Sequence, residues 1–413
     1  MFPLHVKRVM RDTLKFKTSK SNTIFSSNLF WRLLPAGMRR RWWLFRLFDL
    51  AAKYTPIFRK RRGVLVVRMD GIGDMVLFRT SLDHYGEVFG VKKSEITILG
   101  CDSWSSITSE VFRDYKVLTI DEHSFARWPL YRFWVSLKVR AVNPAVSVCD
   151  SYLRRALMAD SLMWISGAPR MVSSLPFISE GTRAEYQYYL SQIDDIIPTG
   201  DYPTHEAIRH SNFLSAIAGR QIKAEAPKIS WRQTLPPSDV VPFGVPYVVL
   251  NPGSNEFGRR WPLVQYQRLA KKLVQKGMLV IFVGGISERP GVIQESEGNI
   301  IDLIGKTSLE QLLDLMNHAQ LVVSNDTGPA HLSIAISTPT LVIVGGGHFG
   351  CFVPYPEEVR PTNARFVYHQ MDCYHCFWNC PKRASKYDVF PCVEAVHIDE
   401  VWRVSQQLLD STK

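Results

Sequence analysis

Short continuous apolar runs alternate with amphipathic stretches along most of the chain. Gly63-Val-Leu-Val-Val-Arg-Met69 is the first such run; it passes through Asp70-Gly-Ile-Gly-Asp74 into an apolar helix beginning Met75-Val-Leu-Phe78. Further strands are expected near Glu95 to Leu99, Lys116 to Ile120 and Ala145 to Cys149, with helices between them, notably Tyr152 to Gly167 and His205 to Gly219. Leu235-Pro-Pro-Ser-Asp-Val-Val-Pro-Phe-Gly-Val-Pro246 has no period and reads as a linker. The alternation then restarts. Strands are expected from Tyr247, from Met278 to Val283, near Ile300, from Leu321 to Val323 and from Thr340 to Val344. Helices are expected from Pro262 to Lys276, Leu309 to His318 and Ile398 to Leu409, the last packing back across the first domain. Apolar strands separated by helical periods predict mostly parallel sheets covered on both faces, an α/β chain. The expected division is an N-terminal extension (1–62), a first domain (63–235) and a second domain (236–413).

The most informative turn is Leu321-Val-Val-Ser-Asn-Asp-Thr-Gly-Pro-Ala-His-Leu332. It predicts a buried strand, a polar turn and a helix opening at Pro329, which suits the first helical position because its missing N–H would have no partner there. Thr327 or Asp326 is the expected cap. Backbone N–H groups at the positive end of a helix, at the carboxyl edge of a sheet, form an anion site. The turn after the first strand is a weaker signal. Val76 stands where a dinucleotide fingerprint has its third glycine, and no Lys-Ser/Thr follows, so a nicotinamide oxidoreductase is not expected.

Composition adds little to the body and much to the extension. An apolar fraction of 46% and a charged fraction of 21% describe a folded globular protein. The net charge of +12 is concentrated: residues 1–62 hold 16 Lys+Arg against Asp12 and Asp49, leaving 34 basic and 36 acidic residues for the remaining 351. Between Arg41 and Tyr54 a helix is expected with Arg46, Asp49 and Lys53 on one face and Trp42, Trp43, Phe45, Leu47, Phe48 and Leu50 on the rest. Basic residues beside aromatics suit an anionic membrane surface; a helix packed on the body is the alternative. No nucleic-acid motif accompanies the arm, so nucleic acid is not an expected partner. With no membrane-spanning run and no signal peptide, the expected location is cytoplasmic, peripheral on the inner face of the membrane, with cysteines reduced.

Cys373, Cys376, Cys380 and Cys392 give C-x2-C-x3-C-x11-C within a short insertion (373–392). Four thiolates so spaced predict a tetrahedral structural metal, zinc first and iron second, with no open position for chemistry. Four reduced thiols in a packed loop are the alternative.

Arg68-Met-Asp-Gly-Ile-Gly-Asp74, Asn251-Pro-Gly-Ser254 with Arg259-Arg-Trp-Pro262, and Ser324-Asn-Asp-Thr-Gly-Pro-Ala-His331 together resemble, in order, the motifs of glycosyltransferase family 9, the ADP-heptose:lipopolysaccharide heptosyltransferases. The resemblance covers residues 63–410. It implies the GT-B architecture, two doubly wound Rossmann-like domains facing across a cleft, the acceptor in the first and the sugar nucleotide in the second. It also implies inverting transfer without a catalytic metal. Asp74 is then the expected general base and Arg259, where the family usually has Lys, the charge on the leaving diphosphate. Ser254, Arg260, Glu288, Asp326, Thr327 and Gly328 are the expected donor contacts; Asp70, Arg154 and Arg155 are the expected acceptor contacts. At a helix N-terminus Asp74 is expected to be ionised and weakly basic. The expected substrates are ADP-heptose or a related sugar nucleotide and a lipid-linked saccharide of the lipopolysaccharide core. Transfer of another sugar in O-antigen or capsule assembly, and a non-catalytic sugar-nucleotide scaffold, are the rival readings.

Overall fold

The computed structural model describes residues 42–236, 240–242, 244–293 and 299–411, the side chains of 42–44 excepted. The basic arm over 1–41 and residues 237–239 and 243 of the Pro-rich linker therefore lie outside the described residues.

Two six-stranded parallel sheets form the frame. The first has the order β3-β2-β1-β4-β5-β6 and the second β12-β11-β10-β7-β8-β9. Counted from its own first strand, each sheet runs 3-2-1-4-5-6, so the same doubly wound topology occurs twice. The first sheet comprises β1 (Val64–Arg68), β2 (Ile96–Cys101), β3 (Lys116–Ile120), β4 (Val146–Cys149), β5 (Arg170–Ser174) and β6 (Asp195–Ile197). The second comprises β7 (Tyr247–Asn251), β8 (Leu279–Phe282), β9 (Ile300–Asp302), β10 (Leu321–Asn325), β11 (Thr340–Ile343) and β12 (Ala364–Val367). The helices that frame the site and the outer faces are α1 (Trp42–Lys53), α2 (Ile72–Ser81), α3 (Pro129–Val142), α4 (Ala159–Ser166), α5 (Glu206–Ala218), α6 (Leu263–Gln275), α7 (Gly328–Ala335) and α8 (Ile398–Asp410).

β1 and β7 are buried at every position, as strands covered by helices on both faces must be. In each sheet the strand order reverses at the central pair, β1 beside β4 and β7 beside β10. Open α/β sheets bind ligands just beyond the carboxyl ends of such a pair. The segments leaving β1 and β7, and the Asp-Thr-Gly-Pro turn leaving β10, begin at these reversals. The domains also share apolar packing: Leu77 and Ala207 of the first meet Ala330, Ile334 and Tyr355 of the second in one buried cluster.

Two expectations of organisation are corrected. The helix expected at Arg41 to Tyr54 is present as α1, but it belongs to the first domain. Phe45 and Ala52 are buried, and Asp49, expected on one face with Arg46 and Lys53, is fully buried against α3. Its two oxygens accept from Arg132 Nε at 2.8 Å and Nη2 at 2.7 Å. The Arg132 guanidinium lies over Phe45 and Phe125, so the charged face of α1 is the inward one. The final helix does not return across the first domain. The apolar face of α8, with Val401, Val404, Leu408 and Leu409, closes the second core beside α6.

Candidate active site

The first domain brings its chemistry from the exit of β1. Arg68, the last residue of that strand, is buried; Nη1 donates to Asp150 Oδ1 at 2.6 Å and Nη2 pairs with Asp70 Oδ2 at 2.8 Å. Asp150 stands at the exit of β4 and also meets His210 Nδ1 at 2.8 Å. Ser151 Oγ donates to Asp70 Oδ2 at 2.8 Å. Asp70 is thus committed to a buried network.

Asp74, in the first turn of α2, is different. No side chain caps that helix, and among the described residues no cation pairs with its carboxylate. Burial, reinforced by the charge of Asp70 and opposed by Arg68, pushes its pKa up to about 7, with a further upward contribution from Asp326 of the second domain. The expectation of a weakly basic carboxylate is corrected: desolvation and two like charges outweigh the helix end. Glu206, at the start of α5, is buried and pushed up to about 8 by burial and by Asp74. Motif reasoning passes over Arg68, Asp150 and Glu206. An Arg closing a buried strand just before an Asp is the available signal for Arg68.

Arg154 does not serve the site. Every one of its N–H groups is taken internally: a two-pronged pair with Asp160 at 2.9 Å, and bonds to Ser151 O, Ser173 Oγ, Ser174 Oγ and Ser174 O. It ties the 151–158 turn to β5, which delays the helix expected from Tyr152 until Ala159. Arg155, its neighbour, is exposed.

The second domain contributes the exits of β7 and β10. Asn325 joins them: Nδ2 donates to Pro252 O at 2.8 Å, and Oδ1 accepts from the Trp261 N–H at 3.1 Å. Asn251 Nδ2 donates to Ser324 Oγ at 2.9 Å and Thr327 Oγ1 at 3.2 Å. That engagement corrects the capping expectation. Thr327 stands at the cap position of α7 but its side chain makes no capping bond, and the helix opens at Gly328 with Pro329 next. Thr327 and Gly328 remain partly exposed.

Around this helix end lie the other expected donor contacts. Ser254 is buried and its hydroxyl has no hydrogen-bond partner among the described residues. Its carbonyl accepts from Arg260 Nε at 2.8 Å. A Cβ on Gly253 would fall 2.9 Å from Glu288 Oε2, so the Glu288 carboxyl lies against this turn. Burial raises the pKa of Glu288, with Arg260 and Arg259 opposing. Arg259 Nη2 pairs with Asp326 Oδ2 at 2.9 Å and also donates to the Asp326 carbonyl. Its guanidinium lies 4.7 Å over the Trp378 ring. His331, on α7, meets Tyr355 at 3.0 Å and is pushed down to about 4 by burial, so it is neutral.

The two halves meet where these groups are. A Cβ on Gly73 would fall 2.8 Å from His331 Cδ2, and one on Gly328 would fall 2.9 Å from Ile72 Cβ. The turn that carries Asp74 therefore rests on the open end of α7. Gly73→Ala should strain no backbone, yet it should push the domains apart and lower turnover about tenfold to a hundredfold by misplacement alone. Steady-state kinetics and a melting curve check this; both cores should melt as in the wild type.

The cysteine insertion borders the same cleft. Cys373, Cys376, Cys380 and Cys392 line one cavity with Gly346, Gly347 and Trp378. Cys392 Sγ accepts the Gly346 N–H at 3.4 Å. Among the described residues no three His, Cys, Asp or Glu side chains are gathered at metal-ligand geometry. Three residues of the loop, His375, Phe377 and Trp378, have positive φ. Phe377 is stacked between two rings of the first domain, Phe177 at 4.9 Å and Tyr202 at 4.6 Å.

Comparison with known proteins bears on this geometry. Residues 214–377 match the family model for glycosyltransferase family 9 (heptosyltransferase). Lipooligosaccharide heptosyltransferase 2 of Haemophilus ducreyi is 36% identical over 103 residues, 23% of this chain and 29% of that protein. The Campylobacter jejuni protein of the same name is 26% identical over 172 residues, 40% of this chain and 51% of that one. The chain thus spans about half or less of the length of these relatives. Among solved structures, the family 9 glycosyltransferase from Veillonella parvula superposes with a TM-score of 0.64 at 17% identity, covering 85% of this chain and 97% of that one. The Escherichia coli ADP-heptose lipopolysaccharide heptosyltransferase II gives 0.61 at 14%, covering 85% and 99%. TibC, a dodecameric iron-containing glycosyltransferase from enterotoxigenic E. coli, gives 0.55 at 14%, covering 86% and 78%. The fold is theirs: two doubly wound α/β domains in the GT-B arrangement. The likeness to family 9 heptosyltransferases, first read from three short motifs, extends in sequence over residues 214–377.

Proposed function

We propose that this family 9-like chain is an inverting glycosyltransferase that moves a sugar, heptose from ADP-heptose being the leading candidate, onto a saccharide of the lipopolysaccharide core or a related lipid-linked acceptor. The observation that carries the reading is the apposition of Asp74, a carboxyl with a pKa near 7, and the uncapped N-terminus of α7 across the junction of two sheet reversals. One group takes a proton from an acceptor hydroxyl; the other, with Arg259, receives the charge that develops on the departing diphosphate. Ser254 offers an unpartnered hydroxyl to the donor, and Glu288 a carboxyl to its ribose. Asp70 shapes the acceptor side through Arg68, and Arg155 is the exposed cation available to an anionic acceptor.

The relatives named heptosyltransferase support the sugar, and the ADP-heptose in the name of the E. coli protein of like fold supports its ADP carrier. The test is a panel of sugar nucleotides in thermal-shift assays. An ADP-linked sugar should raise the melting point in proportion to ln[ligand], because only binding to the native state does so. A response to dinucleotide cofactors with none to any sugar nucleotide would overturn the reading.

The acceptor places the work at the inner face of the cytoplasmic membrane, with the chain bound peripherally. The four cysteines of the insertion suit a structural iron or zinc. They share one cavity, one already receives a backbone N–H, and a protein of like fold is iron-containing. Bound there, a metal would cross-link the loop that carries Phe377 and Trp378. Protein purified under reducing conditions should hold about one metal ion per chain. Cys376→Ser with Cys380→Ser should lose it and melt lower; equal metal content in both forms would refute the assignment.

A further inference from the structure

We propose that the outer face of α1 and α3, around Leu47, Trp128, Leu130 and Trp134, is the surface by which the first domain docks on an anionic bilayer. This rests on the membrane-held acceptor proposed above. It locates the contact on the folded body as well as on the basic arm.

The two helices are amphipathic in an unusual sense. The inward side of α3 is Arg132, Val135, Ser136, Val139 and Arg140, all buried. On its outward side Leu130 is 80% and Trp134 50% exposed, and Trp128, just before the helix, is 64% exposed. Leu130, Trp134 and Lys138 follow at four-residue spacing, one above another on a single face. Lys138 Nζ lies 3.4 Å over the Trp134 ring. On α1, Phe45, Asp49 and Ala52 point inward and Leu47 is 66% exposed. The next residue, Phe48, meets Phe133 of α3 edge to face at 6.3 Å, so the two outer faces adjoin.

Charge identifies the occupant. α3 contains no Asp or Glu, and the single acid of α1, Asp49, is fully buried in its pair with Arg132. The charges these helices show to solvent are therefore all positive. Arg59, Lys60 and Arg62, exposed just after α1, extend the same sign, with the exposed Phe58 beside them. Residues 1–41, which lead into α1, add ten Lys+Arg and one acid. A solvated helix face mixes both signs and carries few large apolar side chains. Exposed Trp and Leu on helices whose own solvent-facing charges are all positive suit the headgroup boundary of anionic lipid.

The test uses full-length protein and sedimentation with vesicles of equal parts phosphatidylcholine and phosphatidylglycerol, against phosphatidylcholine alone. Wild-type protein should bind the anionic vesicles only. Leu130→Ser with Trp134→Ser should weaken binding about tenfold. Its melting point and its transfer to a water-soluble acceptor should be unchanged. Lys138→Glu should weaken binding most at low salt. Wild-type-like binding by the double variant would overturn the docking face and leave the membrane reading standing. Failure of wild-type protein to bind any vesicle would overturn both. Unchanged binding together with a smaller size on gel filtration would show the face to be a contact between copies of the chain, which also overturns the proposal.

Discussion

Asp74→Asn is expected to lower turnover by about three orders of magnitude while changing donor affinity less than about threefold, the pattern of a lost proton acceptor. Two pH measurements distinguish this from loss of a helix cap. In the wild type the carboxyl must be ionised to act, and its pKa is held near 7. The rate should therefore rise through neutrality and level off above it, and that rise should vanish in the variant. Stability should move the other way. The folded pKa lies above the ordinary 3.8, so between the two values the folded chain keeps a proton that the unfolded chain releases. Stability is then lost as pH rises through this window. Asn carries no charge and escapes the loss. The variant should melt higher than wild type at pH 8, by on the order of 2 kcal/mol after allowance for partial exposure, and alike at pH 4. A variant that melts lower at pH 8 would make Asp74 a structural cap.

Arg259→Ala should lower kcat/KM about a hundredfold or more, the effect of removing one charge aimed at a developing anion. In the resting structure the guanidinium is held by Asp326 and spread on the Trp378 ring. A diphosphate entering at the N-terminus of α7 would compete with Asp326 for it. Arg259→Lys should recover part of the loss, since Lys keeps the charge but not the paired N–H geometry. Arg260→Ala provides the control. Its Nε is tied to the Ser254 carbonyl, so its loss should raise KM more than it lowers kcat. If Arg260→Ala abolishes turnover and Arg259→Ala does not, the two roles are exchanged.

The repeated topology was legible because the central strands are continuous apolar runs. β1, β7 and β10 follow directly from Val64–Arg68, Tyr247–Asn251 and Leu321–Asn325. Toward the edges legibility was uneven: β3 and β9 were expected, while β5, β6 and β12 were not. β5 and β12 mix Arg, Ser and Phe with few aliphatic residues, and β6 is three residues long. Turn chemistry placed Asp74, Ser254 and Thr327 near one another without any contact being visible. What the sequence hid was long range. Arg154 looked like a cation at a strand exit until Asp160 and three serines were brought around it. Asp49 could be placed on a helical face but not paired, because its partner, Arg132, is 83 residues away. The basicity of Asp74 was misjudged for the same reason: the neighbours that raise its pKa include Asp326, on the other domain.

The ring of Phe377 bears on how a reaction cycle would end. It is carried by the second domain yet sandwiched by Phe177 and Tyr202 of the first. Drawing the halves apart parts both stacks, each worth about 1 kcal/mol beyond ordinary burial. A spent nucleoside diphosphate lodged at the end of α7 would leave more slowly by that margin. Shortening this side chain would then hasten its escape and lift any ceiling that departure sets on the cycle.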